Sequence, residues 1–98
     1  VFGVMADKNV EEMLSILKPI TARLYAVSPV YDRALPALEV ALKAESVGIY
    51  TASVFNSVAT AIKEAITTHN PTLIVGSFYL ADEAIVELAK YSFGVLKK

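Results

Sequence analysis

No cysteine occurs in these 98 residues, and His69 is the single histidine. The first absence excludes a disulfide framework and a thiolate metal site, and the second excludes a histidine cluster around a metal ion. A chain without cysteine also suits a reducing cytoplasm, the expected location. Long apolar runs are missing too: charged or polar residues interrupt each one well short of the roughly 18 residues needed to span a bilayer. No basic segment followed by an apolar one opens the chain as a secretory signal would. Neither charge sign dominates, with 9 Lys+Arg against 10 Asp+Glu and a net charge of -1. Nucleic acid and membrane surfaces are therefore not expected partners.

The phosphate-binding signatures are absent as well. There is no G-x-x-x-x-G-K-[ST] loop for a nucleoside triphosphate and no G-x-G-x-x-G for a dinucleotide. The first apolar segment is followed by Asp7 alone, not by the carboxylate cluster of a phospho-receiver domain. The residues around Ser77 do not form G-x-S-x-G, which argues against a nucleophile elbow. By itself the chain lacks the parts for phosphoryl transfer.

What remains is enough for one domain with one core. Its mean hydropathy of +0.52 is high for a small domain. Abundant alanine accounts for this, or else some surface is normally covered by further protein. The sequence enters directly on the strand-like Val1-Phe2-Gly3-Val4-Met5 without an initiator methionine, as a domain cut from a larger protein would.

Apolar periodicity predicts strands at 1–5, 23–27, within 50–55 and at 72–75. Between them it predicts helices over about 10–18, started by Asn9 and Glu12, and about 36–45, with Pro36 in the first turn and Leu38, Ala41, Leu42 and Glu45 on related turns. A third helix follows Ser57 and halts at Asn70-Pro71, and a fourth follows Ser77 and ends near Tyr91 to Gly94. The order βαβαβαβα with short apolar strands predicts an α/β fold, a Rossmann-like three-layer domain with a mostly parallel sheet. Ligands of such sheets bind outside the carboxyl ends of the strands. Those ends are Met5 to Asn9, Ser28 to Arg33, Phe55 to Ser57, and Gly76 to Tyr79.

Four loops thus hold the candidates, each with a plain alternative. Ser77 presents a hydroxyl and helix N-terminal N–H groups to a carboxylate or phosphate, or simply caps its own helix. Arg33 can hold a carboxylate through two parallel hydrogen bonds, or be an ordinary solvated arginine. Asp7 and Lys8 could contact a nucleotide or a neighbouring domain, or form a turn before a capped helix. Phe78 and Tyr79 could stack on a ligand, yet Tyr79 or Leu80 must anchor the helix to the sheet. His69 reads as a helix C-terminal cap, favourable for the helix dipole.

In order, Val1-Phe2-Gly3-Val4-Met5-Ala6-Asp7-Lys8-Asn9-Val10-Glu11-Glu12-Met13-Leu14, Arg33-Ala34-Leu35-Pro36, Ser57-Val58-Ala59 with Ala61, and Gly76-Ser77-Phe78-Tyr79-Leu80 resemble a known family. It is the C-terminal domain of folylpolyglutamate synthase/dihydrofolate synthase, the folate branch of the Mur ligase superfamily. The resemblance covers nearly the whole chain. It implies that residues 1–98 form a Mur ligase-type C-terminal domain of an ATP-dependent amide ligase, which adds L-glutamate to folate or dihydropteroate. ATP phosphorylates the carboxylate, the glutamate amine attacks the acyl phosphate, and a tetrahedral intermediate collapses to the amide. The glycine-rich loop for ATP and the ligands of Mg2+ belong to a larger N-terminal domain, which becomes a partner of this one.

By position, the resemblance assigns Ser77 and Arg33 to the glutamate site. Asp7, Lys8, Gly76 and Tyr79 match positions near the nucleotide or the domain interface. No catalytic residue or metal ligand falls within the chain, so the isolated domain is expected to be inactive. The family's Asp-Gly-Ala-His-Asn-Pro segment is expected before residue 1; His69-Asn70-Pro71 is not that segment, because it closes a helix instead of opening one. Two rivals remain. A peptidoglycan-precursor Mur ligase would carry a Gly-Lys-Gly-His-Glu type loop in place of Gly76 to Leu80, and a stand-alone non-catalytic α/β binding module would use those residues as plain structure.

Overall fold

The computed structural model describes residues 1–6 and 9–91. Its elements run β1 (Phe2–Gly3), α1 (Val10–Leu17), β2 (Leu24–Ala26), α2 (Ala37–Ser46), β3 (Ala52–Val54), α3 (Val58–Thr67), β4 (Val75–Gly76) and α4 (Phe78–Leu88). Single 3-10 turns, Lys18–Ile20 and Ala89–Tyr91, extend α1 and α4. The fold is α/β, and its four strands are all parallel in the order β3-β2-β1-β4.

Local chemistry sets the helix starts. Asn9 accepts from the Glu12 backbone N–H at 3.3 Å and donates its amide to the Glu12 carboxylate at 2.8 Å. Ser57 and Thr60 exchange backbone and hydroxyl hydrogen bonds in both directions, at 3.1 and 3.2 Å. Such reciprocal bonds satisfy N–H groups that the helix cannot pair internally. At the far end of α3, His69 takes the left-handed conformation with φ 56°, and its N–H reaches the Ile66 carbonyl at 3.2 Å. That termination accords with its reading as a structural cap. Pro36 stands one position earlier than expected, as the N-cap of α2, with extended backbone at ψ 141°.

Alternating side chains divide the core between the two sheet faces. Phe2, Val4, Leu24 and Ala26 pack under α1 and α2 with Leu14 and Val40. Val1 and Val27 pack under α3 and α4 with Ile62 and Leu80. Full burial of a side chain such as Leu14 or Leu80 stabilises the fold by about 1.5–3 kcal/mol.

The face of α2 departs from expectation. Leu38 and Leu42 are 61% and 57% exposed, while Ala37, Val40 and Ala44 are buried. The Leu35 N–H bonds to the Val4 carbonyl at 2.8 Å, fixing how the chain enters α2 and turning its smaller side chains to the sheet. The strands are also shorter than their apolar runs, and β4 begins only at Val75, although the Val1 amino group already donates to the Leu73 carbonyl at 2.8 Å.

Candidate functional site at the β1–β4 seam

From β1 the chain steps outward to β2 and β3, then crosses to the other face through α3 and returns as β4 on the far side of β1. The reversal makes the β1–β4 boundary the topological switch point, where an open α/β sheet leaves a crevice at its carboxyl edge. Phe2 pairs with Val75 and Gly3 with Gly76 along this seam. Gly76 has φ 145°, a conformation that glycine alone adopts readily.

Directly beyond, Ser77 has extended backbone and caps α4. Its Oγ accepts from the Leu80 N–H at 3.1 Å, while its hydroxyl hydrogen can still be donated. The N–H groups of Phe78 and Tyr79 belong to the first turn, where helix geometry provides no partner. Leu80 is fully buried and anchors α4, leaving Tyr79 42% and Phe78 90% exposed. A concavity of about 430 Å³ runs past Met5, Ile74, Ser77 and Phe78.

The loop after β2 reaches the same edge of the sheet, beside this concavity. Its final part turns back along the continuation of β1, with the Ala6 N–H donating to the Arg33 carbonyl at 2.8 Å and Met5 bridged to Ala34. Arg33 therefore stands beside the end of β1. Its Nη2 donates to the Tyr31 hydroxyl at 3.0 Å, and the guanidinium carbon lies 5.6 Å from the centre of the Tyr31 ring. The Tyr31 ring stacks on Tyr79, with centroids 3.9 Å apart and planes 18° apart. A second tie joins the same elements: the Val30 N–H donates to Glu83 Oε2 at 2.7 Å.

These contacts pull the two phenols in opposite directions. The hydrogen bond from Tyr79, together with the hydrogen bond and positive charge of Arg33, holds Tyr31 below the ordinary phenol range. Tyr79 is raised, first by the hydrogen bond to Tyr31 and then by loss of hydration.

No family model, curated protein or solved structure matches the chain. Among the described residues, no helix is long and apolar enough to cross a membrane.

Of the residues singled out in the sequence, Arg33, Gly76, Ser77 and Tyr79 meet at one edge of the sheet. Asp7 and Lys8 lie outside the described residues. Tyr31 and Glu83 join the group unannounced; an aromatic two residues before Arg33, in a loop at a strand end, is the only signal that pointed to Tyr31. His69 follows α3 at the opposite, amino edge, away from Ser77. A guanidinium, a serine hydroxyl and a helix N-terminus make a surface suited to holding a small anion.

Proposed function

We propose that the chain is the glutamate- and nucleotide-site domain of an ATP-dependent amide ligase that adds L-glutamate to folate or dihydropteroate through an acyl phosphate. The main support is positional: the order β3-β2-β1-β4 brings the Arg33 loop and the Gly76 to Tyr79 loop to the same edge of the sheet, where Tyr31 stacks on Tyr79. Those are the two segments that the folate-ligase resemblance links to the incoming amino acid. Glutamate carries two carboxylates. A guanidinium fork suits one, and the hydroxyl and N–H groups at the start of α4 suit the other.

On this proposal most of the groups that hold ATP and Mg2+ lie on further protein. The sequence has no glycine-rich Lys-Ser/Thr loop, and no group of three or more His, Asp or Glu among the described residues could hold a metal ion. On this reading, phosphoryl transfer belongs to further protein against which the crevice closes, and that protein selects the folate.

The test is steady-state kinetics of the full-length protein. Arg33→Ala and Ser77→Ala should each raise the KM for L-glutamate about tenfold or more, the size of a lost charge-assisted hydrogen bond, with the KM for ATP within about twofold. Unchanged glutamate kinetics in both variants would sink the assignment. The 98 residues alone should neither hydrolyse ATP nor ligate glutamate; measurable turnover would contradict the division of labour.

A non-catalytic binding module is the reading favoured by one contact, the cap bond from the Leu80 N–H to Ser77 Oγ. It predicts no nucleotide-dependent chemistry in the full-length protein.

A further inference from the structure

An arginine on a surface loop has many rotamers, and fixing one of them costs entropy whenever a ligand binds. Arg33 is exposed on such a loop, yet one residue engages it twice. The Tyr31 hydroxyl accepts from its Nη2 at 3.0 Å, and the Tyr31 ring lies under its guanidinium carbon at 5.6 Å. Tyr31 is held in turn by the stack on Tyr79, with ring centres 3.9 Å apart. Its backbone neighbour Val30 is tied to Glu83 at 2.7 Å. Tyr79 and Glu83 both belong to α4, the helix that Ser77 starts. A continuous set of contacts therefore runs from α4 through Tyr79 and Tyr31 to the guanidinium, across the end of β1.

We infer that Tyr31 is a positioning residue for Arg33, setting the guanidinium beside the end of β1 so that it receives a carboxylate in one prepared orientation. The inference rests on the assignment of Arg33 to the glutamate carboxylate. Tyr31 itself does not touch the ligand. Its two contributions are separable. Tyr31→Phe keeps the stack and the ring under the guanidinium but removes the hydroxyl, whereas Tyr31→Ala removes all three. Tyr79→Ala removes the brace behind Tyr31.

The experiment measures kcat and KM for L-glutamate in the full-length protein for Tyr31→Phe, Tyr31→Ala and Arg33→Ala, and for each Tyr31 variant combined with Arg33→Ala. The Arg33 Nε–H NMR signal is followed alongside. Tyr31→Phe should raise KM about two- to fivefold and Tyr31→Ala about fivefold or more, with kcat within about twofold, as expected when pre-organisation alone is lost. Once Arg33 is alanine, neither Tyr31 change should raise KM further, because the two residues act as a unit. The Arg33 signal should be rigid in the wild type and averaged in Tyr31→Ala.

A KM effect of Tyr31→Ala that persists undiminished in the Arg33→Ala background means a general structural role and overturns the inference. So does an Arg33 side chain as mobile in the wild type as in Tyr31→Ala. If Arg33→Ala alone leaves the KM unchanged while the NMR signal still depends on Tyr31, the carboxylate assignment has failed and the inference falls with it, leaving only the contact. Tyr31→Phe, which keeps the packing, guards against a folding defect in Tyr31→Ala.

Discussion

A β-carbon placed on Gly76 would stand 2.0 Å from the carbonyl oxygen of Gly3. Gly76→Ala would therefore push backbone against backbone where the edge strand β4 meets β1, in a conformation that side chains rarely adopt. We expect this change to cost about 3 kcal/mol or more, at or beyond the upper end for ordinary substitutions. Urea unfolding measures it. A loss below about 1 kcal/mol would mean that the seam is not closed by glycine.

Ser77 has a demonstrated cap bond and a proposed ligand role, and two substitutions separate them. Ser77→Ala removes the cap and should cost about 1 kcal/mol of stability. Ser77→Asp keeps a capping oxygen and suits the positive end of the helix, so its melting temperature should stay near wild type. It nevertheless places a negative charge where a carboxylate would dock. Glutamate KM should rise about tenfold or more in Ser77→Asp, and wild-type binding there would reduce Ser77 to a cap.

The tyrosine pair predicts an order of ionisation. Tyr31 lies below the ordinary phenol range, so the stability its charged form contributes is present above that range and lost as pH falls through its folded value. Tyr79 is raised, so its contribution is present below the ordinary range and lost as pH rises through its own folded value. On alkaline titration Tyr31 should ionise first. Tyrosinate absorbance checks it: Tyr31→Phe should delete the earliest step and Arg33→Ala should move that step to higher pH. An unchanged early limb in Tyr31→Phe would refute the order.

His69 holds a left-handed backbone at the end of α3, which glycine adopts without a β-carbon penalty. After allowing for the greater freedom of glycine in the unfolded chain, His69→Gly should stabilise the protein by about 0.5–1 kcal/mol. Thermal unfolding at neutral pH reads this out, and a destabilised variant would show that the imidazole makes up for the strain.

Asn9, Ser57 and Ser77 were legible as helix starts because a cap involves only residues three apart. The inner face of α2 was not. Leu38 and Leu42 have the same helical spacing as Val40 and Ala44, and the bond from Leu35 to Val4, made across the fold, chooses between them. The candidate residues were legible one loop at a time. That Arg33 and Tyr79 come near one another depends on strand order, because the loops after β2 and β4 come together only when β4 pairs on the far side of β1. Tyr31 carries only the faint local mark of an aromatic two residues before Arg33, since an aromatic in a loop gains meaning from what lies opposite.

The pairing of Phe2 with Val75 joins the first strand to the last, whereas the β1–β2 and β2–β3 pairings each enclose a single helix. Closing a longer stretch of chain costs more entropy, and distant pairings delay folding. The seam should therefore form late, and partial unfolding should release it early. Amide exchange at Val75 faster than at Ala26 would show this directly. A chain that has paired only its first three strands already has a sheet and half a core, but the crevice at the β1–β4 seam does not yet exist.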